Sequence, residues 1–182
     1  SALTWDSSHE SNSDNIKETE QPTNSDDEKC LIKYIAADGK IYTRTLAEKL
    51  KLDGGRVDGE KFDNVSHLER MAATAQVNAD GEVVKIDTAA LGINENETNL
   101  KRLLEYDGTG AKWCTATRIF GKTVICSPNA VVFVVPPGTD EYSEFRYDED
   151  SYSIGSVSDF VSNQYNAVDC YKYGSDSYCN IV

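Results

Sequence analysis

Cysteine is the residue of this sequence with the widest chemical range, because its thiol forms disulfides, binds metals and acts as a nucleophile. The chain has five cysteines: Cys30, Cys114, Cys126, Cys170 and Cys179. It has no CxxC pair and only two histidines, so the spacing does not indicate a zinc site. We therefore interpret the cysteines as disulfide-forming residues and expect no bound metal and no cofactor.

The cysteine pair with the clearest expected geometry lies in the most apolar part of the chain. Two runs rich in β-branched residues, 115–118 and 122–126, are typical of paired strands, and a three-residue loop ending in Gly121 separates them. Glycine readily takes the left-handed conformation that the last residue of such a loop needs. Counting outward from this loop places Cys114 opposite Cys126, so we predict a disulfide between them.

A second disulfide is predicted between Cys170 and Cys179, which enclose a loop of a size that a disulfide closes easily. The odd number of cysteines then leaves Cys30 as the candidate free thiol, and its pairing stays open. The loop is rich in tyrosine, which suits protein recognition, although tyrosine also packs inside small disulfide loops. The candidate partner-binding residues are Tyr171, Tyr173 and Tyr178.

Residues for familiar catalytic machinery are scarce. His9 lies in a polar N-terminal segment and His67 in a predicted helix, and neither accompanies a GxSxG motif or a papain-like cysteine. The glycine-rich stretch 53–59 lacks the lysine and the Ser or Thr of a phosphate loop. We therefore predict no catalytic residue. A pair of carboxylates for glycoside hydrolysis remains open in so acidic a chain, but no pair stands out.

One stretch has the partial spacing of a calcium loop. Asn78, Asp80, Gly81 and Asp87 fall at positions 3, 5, 6 and 12 of such a loop. Gln76, however, occupies the position of the first carboxylate ligand. A hairpin turn through residues 79–81 explains the same residues, so calcium binding at 78–87 is left open.

Charge restricts the partners that this protein can bind. The chain has 182 residues and a net charge of −13, which disfavours nucleic acids and anionic membranes and favours a protein with a basic surface. No stretch approaches the ~20 apolar residues of a membrane span. Residues 1–29 hold eight acidic residues against two lysines, with few large apolar side chains, so we predict a disordered acidic tail. We expect a monomer.

The predicted compartment is extracellular. Asn64 and Asn96 begin glycosylation sequons, and methionine and histidine are rare. Together with the predicted disulfides, these features favour a secreted protein in its mature form. A cytosolic protein with incidental thiols is the alternative.

The fold class predicted from these patterns is α+β and β-rich, with antiparallel sheets, two or three short helices and stapling disulfides. A hairpin is expected to turn at Asp38-Gly39, and short helices are expected among residues 46–52, 64–75, 96–106 and 158–167. The glycines of the segment 108–110 mark the expected boundary between an N-terminal α+β domain, 30–109, and a C-terminal β-rich domain, 110–182. One domain or two small β-rich subdomains both fit the length.

With these residues laid out, the chain resembles the secreted effector, or avirulence, proteins of plant-pathogenic fungi. The resemblance rests on the polar N-terminal segment, the β-rich body, the stretch CLIKYIAADGKIYTRTLAEKL and the CysX11Cys hairpin. Over residues 30–182 it is similar in size and layout to the dual-domain effectors that Fusarium secretes into xylem. The resemblance implies a non-enzymatic virulence protein that binds a host protein and is recognised by a plant immune receptor. A secreted killer-type or antimicrobial toxin and a carboxylate-based secreted hydrolase are the alternatives.

Overall fold

The protein is built almost entirely of strands. The structure, a computed structural model, describes residues 2–6, 29–65, 68, 71–89, 99–136 and 149–182, and for residues 2–6 and 149 it describes the backbone alone. The described residues form fourteen strands, one α-helix of a single turn, α1 (Phe62–Val65), and two 3₁₀ turns. The prediction of a β-rich protein is confirmed. None of the helices in the described residues is long and apolar enough to cross a membrane.

The first sheet closes on itself. Its six strands are β1 (Ala2–Asp6), β2 (Leu31–Ala36), β3 (Ile41–Leu52), β4 (Gly55–Asp58), β5 (Met71–Val77) and β6 (Val83–Thr88). They follow the order β2-β1-β5-β6-β3-β4, and a further pairing of β2 with β3 joins five of them into a ring. β3 and β6 run parallel, whereas the other pairs are antiparallel. The ring surrounds a core that includes Ile32, Leu46, Leu50, Val83 and Ile86.

The β2–β3 hairpin forms where it was predicted, but its register differs by one residue: a two-residue Asp38-Gly39 loop would place Ile35 opposite Tyr42, whereas a three-residue loop, 37–39, places Ile35 opposite Ile41. The Gly39 amide donates to the Ala36 carbonyl oxygen at 2.9 Å, and the Asp38 carboxylate accepts the Lys40 amide at the same distance. Tyr34 and Tyr42 are opposed across the two strands, with ring centroids 5.5 Å apart. Local turn chemistry and cross-strand packing therefore support the same pairing.

Part of the predicted disordered tail is a strand. β1 pairs on one side with β2, where Trp5 lies opposite Tyr34, and on the other side with β5, where Thr4 lies opposite Ala72. The prediction is wrong for residues 2–6, because two strands from distant parts of the chain satisfy their backbone groups. Residues 7–28 of the predicted tail lie outside the described residues.

Two predicted helices are largely strand. β3 runs through residues 46–52, where Leu46, Leu50 and Leu52 are buried. The three leucines are four and two positions apart, and even spacing places side chains on one face of a strand. The spacing of four also fits one face of a helix, so the pattern is compatible with both structures. Within the described part of 64–75, the predicted helix is limited to residues 64 and 65, the last two of α1, and β5 begins at Met71.

The other two predicted helices also give way to extended structure. Within residues 96–106, strand β7 (Leu100–Leu104) buries Leu100 and exposes Leu103; residues 96–98 lie outside the described part of the chain. Within residues 158–167, the structure has a 3₁₀ turn at Val157–Asp159, capped by Ser156, and then the short strand β12 (Tyr165–Asn166).

The second sheet combines β7 with all later strands. These are β8 (Ala111–Cys114), β9 (Ile119–Phe120), β10 (Val124–Val134), β11 (Ser153–Gly155), β12 (Tyr165–Asn166), β13 (Cys170–Tyr173) and β14 (Cys179–Ile181). Their order is β12-β8-β9-β10-β14-β13-β7, with β11 paired to β10. The expected boundary at 108–110 therefore lies inside this sheet, because β7, which precedes it, pairs with β13.

A third group of buried residues connects the two sheets. Ile35 and Ala72 come from the first sheet, whereas Leu100, Phe133, Tyr171 and Ile181 come from the second. All six are buried. The two sheets therefore share apolar contacts as well as having separate cores.

The predicted register of the central hairpin is wrong. Residues 115–118 form a turn, and the short strand β9 pairs with β8 on one side and β10 on the other. Cys114 consequently lies opposite Ile119, not Cys126. The reason is burial: the predicted loop would expose Phe120, whereas the actual register places its ring 4.6 Å from Trp113 and 4.9 Å from Phe160.

Candidate functional site

Three of the five cysteines meet in the core of the second sheet. The Sγ atoms of Cys126, Cys170 and Cys179 all lie within 4.8 Å of one another, and each residue is at most 1% exposed. Cys126 on β10 and Cys179 on β14 are directly opposed in a parallel strand pair. Cys170 begins β13, the next strand along. We call these three residues the thiol cluster.

An irregularity in β10 positions Cys126 in this cluster. Cys126 pairs with Cys179 and Val131 pairs with Ile181, so five residue steps on β10 match two on β14. Pro128 lies in the extra segment, where its missing N–H removes a ladder hydrogen bond. The segment bulges outward and leaves Asn129 exposed, whereas Cys126 points into the core. The proline thus allows both ends of β10 to pair with the same short strand.

The thiols change one another's acidity. Contacts with Cys126 and Cys179 raise the pKa of Cys170 well above its usual range, and burial adds to the effect. The thiols of Cys126 and Cys170 donate towards Cys179 and lower its pKa, because they stabilise a thiolate there. The Cys179 Sγ also lies 3.1 Å from the Ile181 carbonyl oxygen, to which its protonated form donates.

Both predicted disulfides are corrected by the structure. All five cysteines are free thiols, and neither the Cys114–Cys126 pair nor the Cys170–Cys179 pair is bonded. Cys170 and Cys179 nevertheless lie close together within the thiol cluster. Cys30, the predicted free thiol, is buried under the first sheet, where its Sγ donates to the Glu60 carbonyl oxygen at 3.3 Å.

Cys114 is the most accessible thiol and yields a testable prediction. A hydrogen bond from the Thr117 hydroxyl lowers the pKa of Cys114, whereas burial raises the pKa of Cys30. A lower pKa gives more thiolate, the reactive form, near neutral pH. Because the other four cysteines are buried, we expect iodoacetamide at pH 7 to label Cys114 first, as measured by peptide mass spectrometry over time.

The matched variant is Thr117→Val, which removes the hydroxyl and keeps the side-chain shape. It should slow alkylation of Cys114 at pH 7 and leave the rate unchanged well above pH 9, where the thiol is ionised in both proteins. Equal rates at pH 7 would contradict a role for this hydrogen bond.

The C-terminal hairpin presents two of the three predicted tyrosines to solvent. Tyr173 is 36% exposed and Tyr178 is 52% exposed, and they flank the turn between β13 and β14. Asn180 holds this turn: its Oδ1 accepts the Tyr173 amide at 2.9 Å, and its Nδ2 donates to the Tyr173 carbonyl and to Asp176. We call residues 173–180 the tyrosine hairpin.

Tyr171 is different from its neighbours. It is 8% exposed and belongs to the group of buried residues that connects the two sheets. The Arg102 guanidinium lies 5.8 Å from its ring centroid, and burial raises the pKa of Tyr171 to about 12. We therefore remove Tyr171 from the candidate binding residues, because a partner cannot reach most of its surface.

A mainly apolar groove of about 450 Å³ lies where the two sheets meet. Its walls include Met71 from the first sheet and Phe133 and Ile181 from the second. Asp169 is the one carboxylate among its described lining residues, and its Oδ1 already accepts the Tyr106 amide at 2.7 Å. The described lining thus lacks the facing carboxylate pair that glycoside hydrolysis uses.

Two other carboxylates are buried, but each is engaged within the first sheet. Asp53 accepts hydrogen bonds from the Thr88 amide at 2.6 Å and from the Thr88 hydroxyl at 2.7 Å. Asp87 forms a salt bridge with Lys85 at 3.1 Å. The Asp53 contacts tie the end of β3 to the end of β6, whereas the Asp87 salt bridge lies within β6 and leaves the buried Asp87 Oδ1 without a hydrogen bond.

The calcium-like stretch forms a hairpin turn. The Asn78 amide donates to the Glu82 carbonyl oxygen, and the Asn78 Oδ1 accepts the amides of Asp80 and Glu82. Asp87, the last position of the calcium pattern, lies in β6, where it pairs with Lys85. The side chain of Asn78 therefore shapes the turn, as the hairpin interpretation expects.

Comparison of the chain with protein families, with curated proteins and with solved structures finds no match.

Sequence reasoning missed the two features that organise these sites. The thiol cluster joins Cys126 to two cysteines more than forty positions away, and no local spacing signals that contact. Asn180 was missed as well, although asparagine next to a turn is a recognisable signal, since its amide often bonds to nearby backbone.

Proposed function

We propose that this protein is a non-enzymatic binding protein that recognises another protein through its tyrosine hairpin. The observation that carries the proposal is the exposure of Tyr173 and Tyr178 on a turn that Asn180 holds with three hydrogen bonds. Tyrosine offers a large contact area at a low entropic cost, and a turn that is already ordered loses little further freedom on binding.

The resemblance to fungal effectors suggests a host protein as the partner and a role in virulence. The net charge of −13 favours a partner with a basic surface, whose approach it accelerates. The apolar groove gives the hydrolase alternative no support, because its described lining has a single side-chain carboxylate, Asp169, and no second one facing it. Secretion loses the support of the predicted disulfides and rests on the remaining sequence features and the resemblance.

The test is a comparison of two variants at exposed tyrosines. We expect the double variant Tyr173→Ser, Tyr178→Ser to weaken partner binding by at least about tenfold, since tyrosines at the centre of an interface often contribute about 2 kcal/mol or more. Tyr165→Ser is the matched control: Tyr165 is 65% exposed on β12, at the other end of the sheet order. The affinity of the Tyr165→Ser variant for the partner should stay within about twofold of the affinity of the parent protein.

The partner is first isolated from plant leaf extract by capture on the immobilised protein and then purified for titration calorimetry. A protein retained equally by the parent and the double variant would contradict the role of the tyrosine hairpin. The association rate should fall as salt rises, because screening weakens the attraction between an acidic protein and a basic partner. Melting temperatures of all variants should remain within a few degrees of the parent value.

A further inference from the structure

We propose that the thiol cluster is a binding site for one soft monovalent cation, Cu(I), held by the sulfur atoms of Cys126, Cys170 and Cys179. The site lies in the core of the second sheet, separate from the tyrosine hairpin surface. It requires neither the proposed partner nor the proposed compartment.

The spacing of the sulfur atoms fits a cation at their centre. Bonds between metals and thiolates are about 2.3 Å long, so a cation in the plane of three sulfurs holds them about 4 Å apart. The three Sγ atoms already lie within 4.8 Å of one another. Small side-chain rotations therefore bring all three into bonding range, and the strand pairing of Cys126 with Cys179 need not change.

The donor set selects the kind of metal. Among the described residues, the cluster contains three sulfur donors and no histidine, carboxylate or fourth cysteine within the same distance. Mg²⁺ and Ca²⁺ need oxygen ligands, and structural Zn²⁺ sites need four donors. Each cysteine is almost fully buried, so water has little access as a fourth ligand. Three soft sulfur atoms without a fourth ligand favour Cu(I).

Proton release accompanies binding, without any change of oxidation state. Each thiol that becomes a thiolate ligand loses one proton to solvent. A disulfide is the alternative product of these thiols, but it bonds only two of the three sulfur atoms and leaves the third as a free thiol.

The experiment is an anaerobic titration of the full, reduced chain with Cu(I) in competition with a chromophoric Cu(I) chelator. We expect one equivalent per chain to be retained and X-ray absorption at the copper edge to show three sulfur neighbours. Excess Cu(I) should raise the melting temperature by about 5–10 °C, since a ligand at a hundredfold excess over its Kd stabilises the folded state to that extent.

Serine substitutions identify the ligands. Cys126→Ser, Cys170→Ser and Cys179→Ser should each lower Cu(I) affinity by more than about a hundredfold, because loss of a ligand exceeds the usual effect of losing a supporting hydrogen bond. Cys114→Ser and Cys30→Ser are the matched controls and should retain the full equivalent. Circular dichroism of the metal-free protein checks that each variant is folded. Where a variant does not fold, the X-ray absorption spectrum of the parent protein with Cu(I) still gives the number of sulfur ligands.

The proposal would be overturned if the protein retained no Cu(I) against the chelator or if the copper had fewer than three sulfur neighbours. Loss of Cu(I) binding in the Cys30→Ser or Cys114→Ser variant would overturn it as well. A disulfide between two members of the cluster in protein purified anaerobically would also overturn it and assign the cluster to a covalent bond. None of these results bears on the tyrosine hairpin, which is tested on partner binding.

Discussion

Phe120→Ala should lower the free energy of unfolding by about 3–5 kcal/mol, the usual cost of removing a fully buried aromatic ring. Phe120 is 0% exposed, and its ring lies 4.6 Å from Trp113 and 4.9 Å from Phe160. The substitution leaves a cavity between two rings that cannot both move inward. In a chain of this length the melting temperature should fall by roughly 10 °C or more.

Urea denaturation followed by tryptophan fluorescence measures this effect, because Trp113 packs directly against the substituted ring. Val161→Ala is the control: Val161 follows Phe160 in the chain but is 54% exposed, and its substitution should change stability by no more than about 0.5 kcal/mol. A loss below about 1 kcal/mol for Phe120→Ala would contradict the register of β8, β9 and β10 and would restore the loop predicted from the sequence.

Gly110→Ala should cost about 2–5 kcal/mol, from two separate causes. Its φ is +85°, a left-handed conformation that costs a residue with a Cβ about 1–2 kcal/mol. A Cβ at Gly110 would also lie 2.6 Å from the carbonyl oxygen of Asn166, so the backbone must shift at about 1–3 kcal/mol. That contact joins the beginning of β8 to the end of β12.

Gly108→Ala separates the two causes. Gly108 has nearly the same φ, +89°, but a Cβ added there would meet no atom of a non-adjacent residue within 4 Å. Its substitution should therefore cost only the conformational part, about 1–2 kcal/mol. Chemical denaturation of both variants gives the difference directly. Equal losses would show that Gly110 does not pack against β12, as expected of a free hinge between domains.

The β-rich composition of the protein and two of its hairpins could be predicted from the sequence. Asp38-Gly39 and Asn78 act through local backbone geometry, which depends on residues within the turn itself. Helix predictions failed where extended chains find partners far away in sequence. The segment Ala72-Ala73-Thr74-Ala75 has high helix propensity, yet it pairs with β1 and β6, and the tertiary contacts outweigh a preference worth a few tenths of a kcal/mol per residue.

The candidate sites divide in the same way. Tyr173 and Tyr178 were found from the sequence, because tyrosine in a short loop is a local signal. No local signal separates Tyr171 from Tyr173, which lies two residues later in β13; packing against the rest of the fold leaves Tyr171 8% exposed and Tyr173, next to the turn, 36% exposed. The prediction that Cys114 is bonded to Cys126 was wrong because it depended on one assumed loop, 119–121. When the loop shifts, every pair of opposed residues in the hairpin changes.

By itself, the sequence determined the strand-rich chain, the positions of two of its turns, its acidity and the candidates Tyr173 and Tyr178, all properties of residues and their near neighbours. Only the tertiary structure decided that β1 belongs to the first sheet, that Phe120 is buried, and that Cys126, Cys170 and Cys179 converge. The physical reason is that pairing between distant strands is selected by burial of apolar side chains over the whole fold. A parallel pair such as β10 and β14 has no tight connecting turn, so no turn residues in the sequence indicate the pairing.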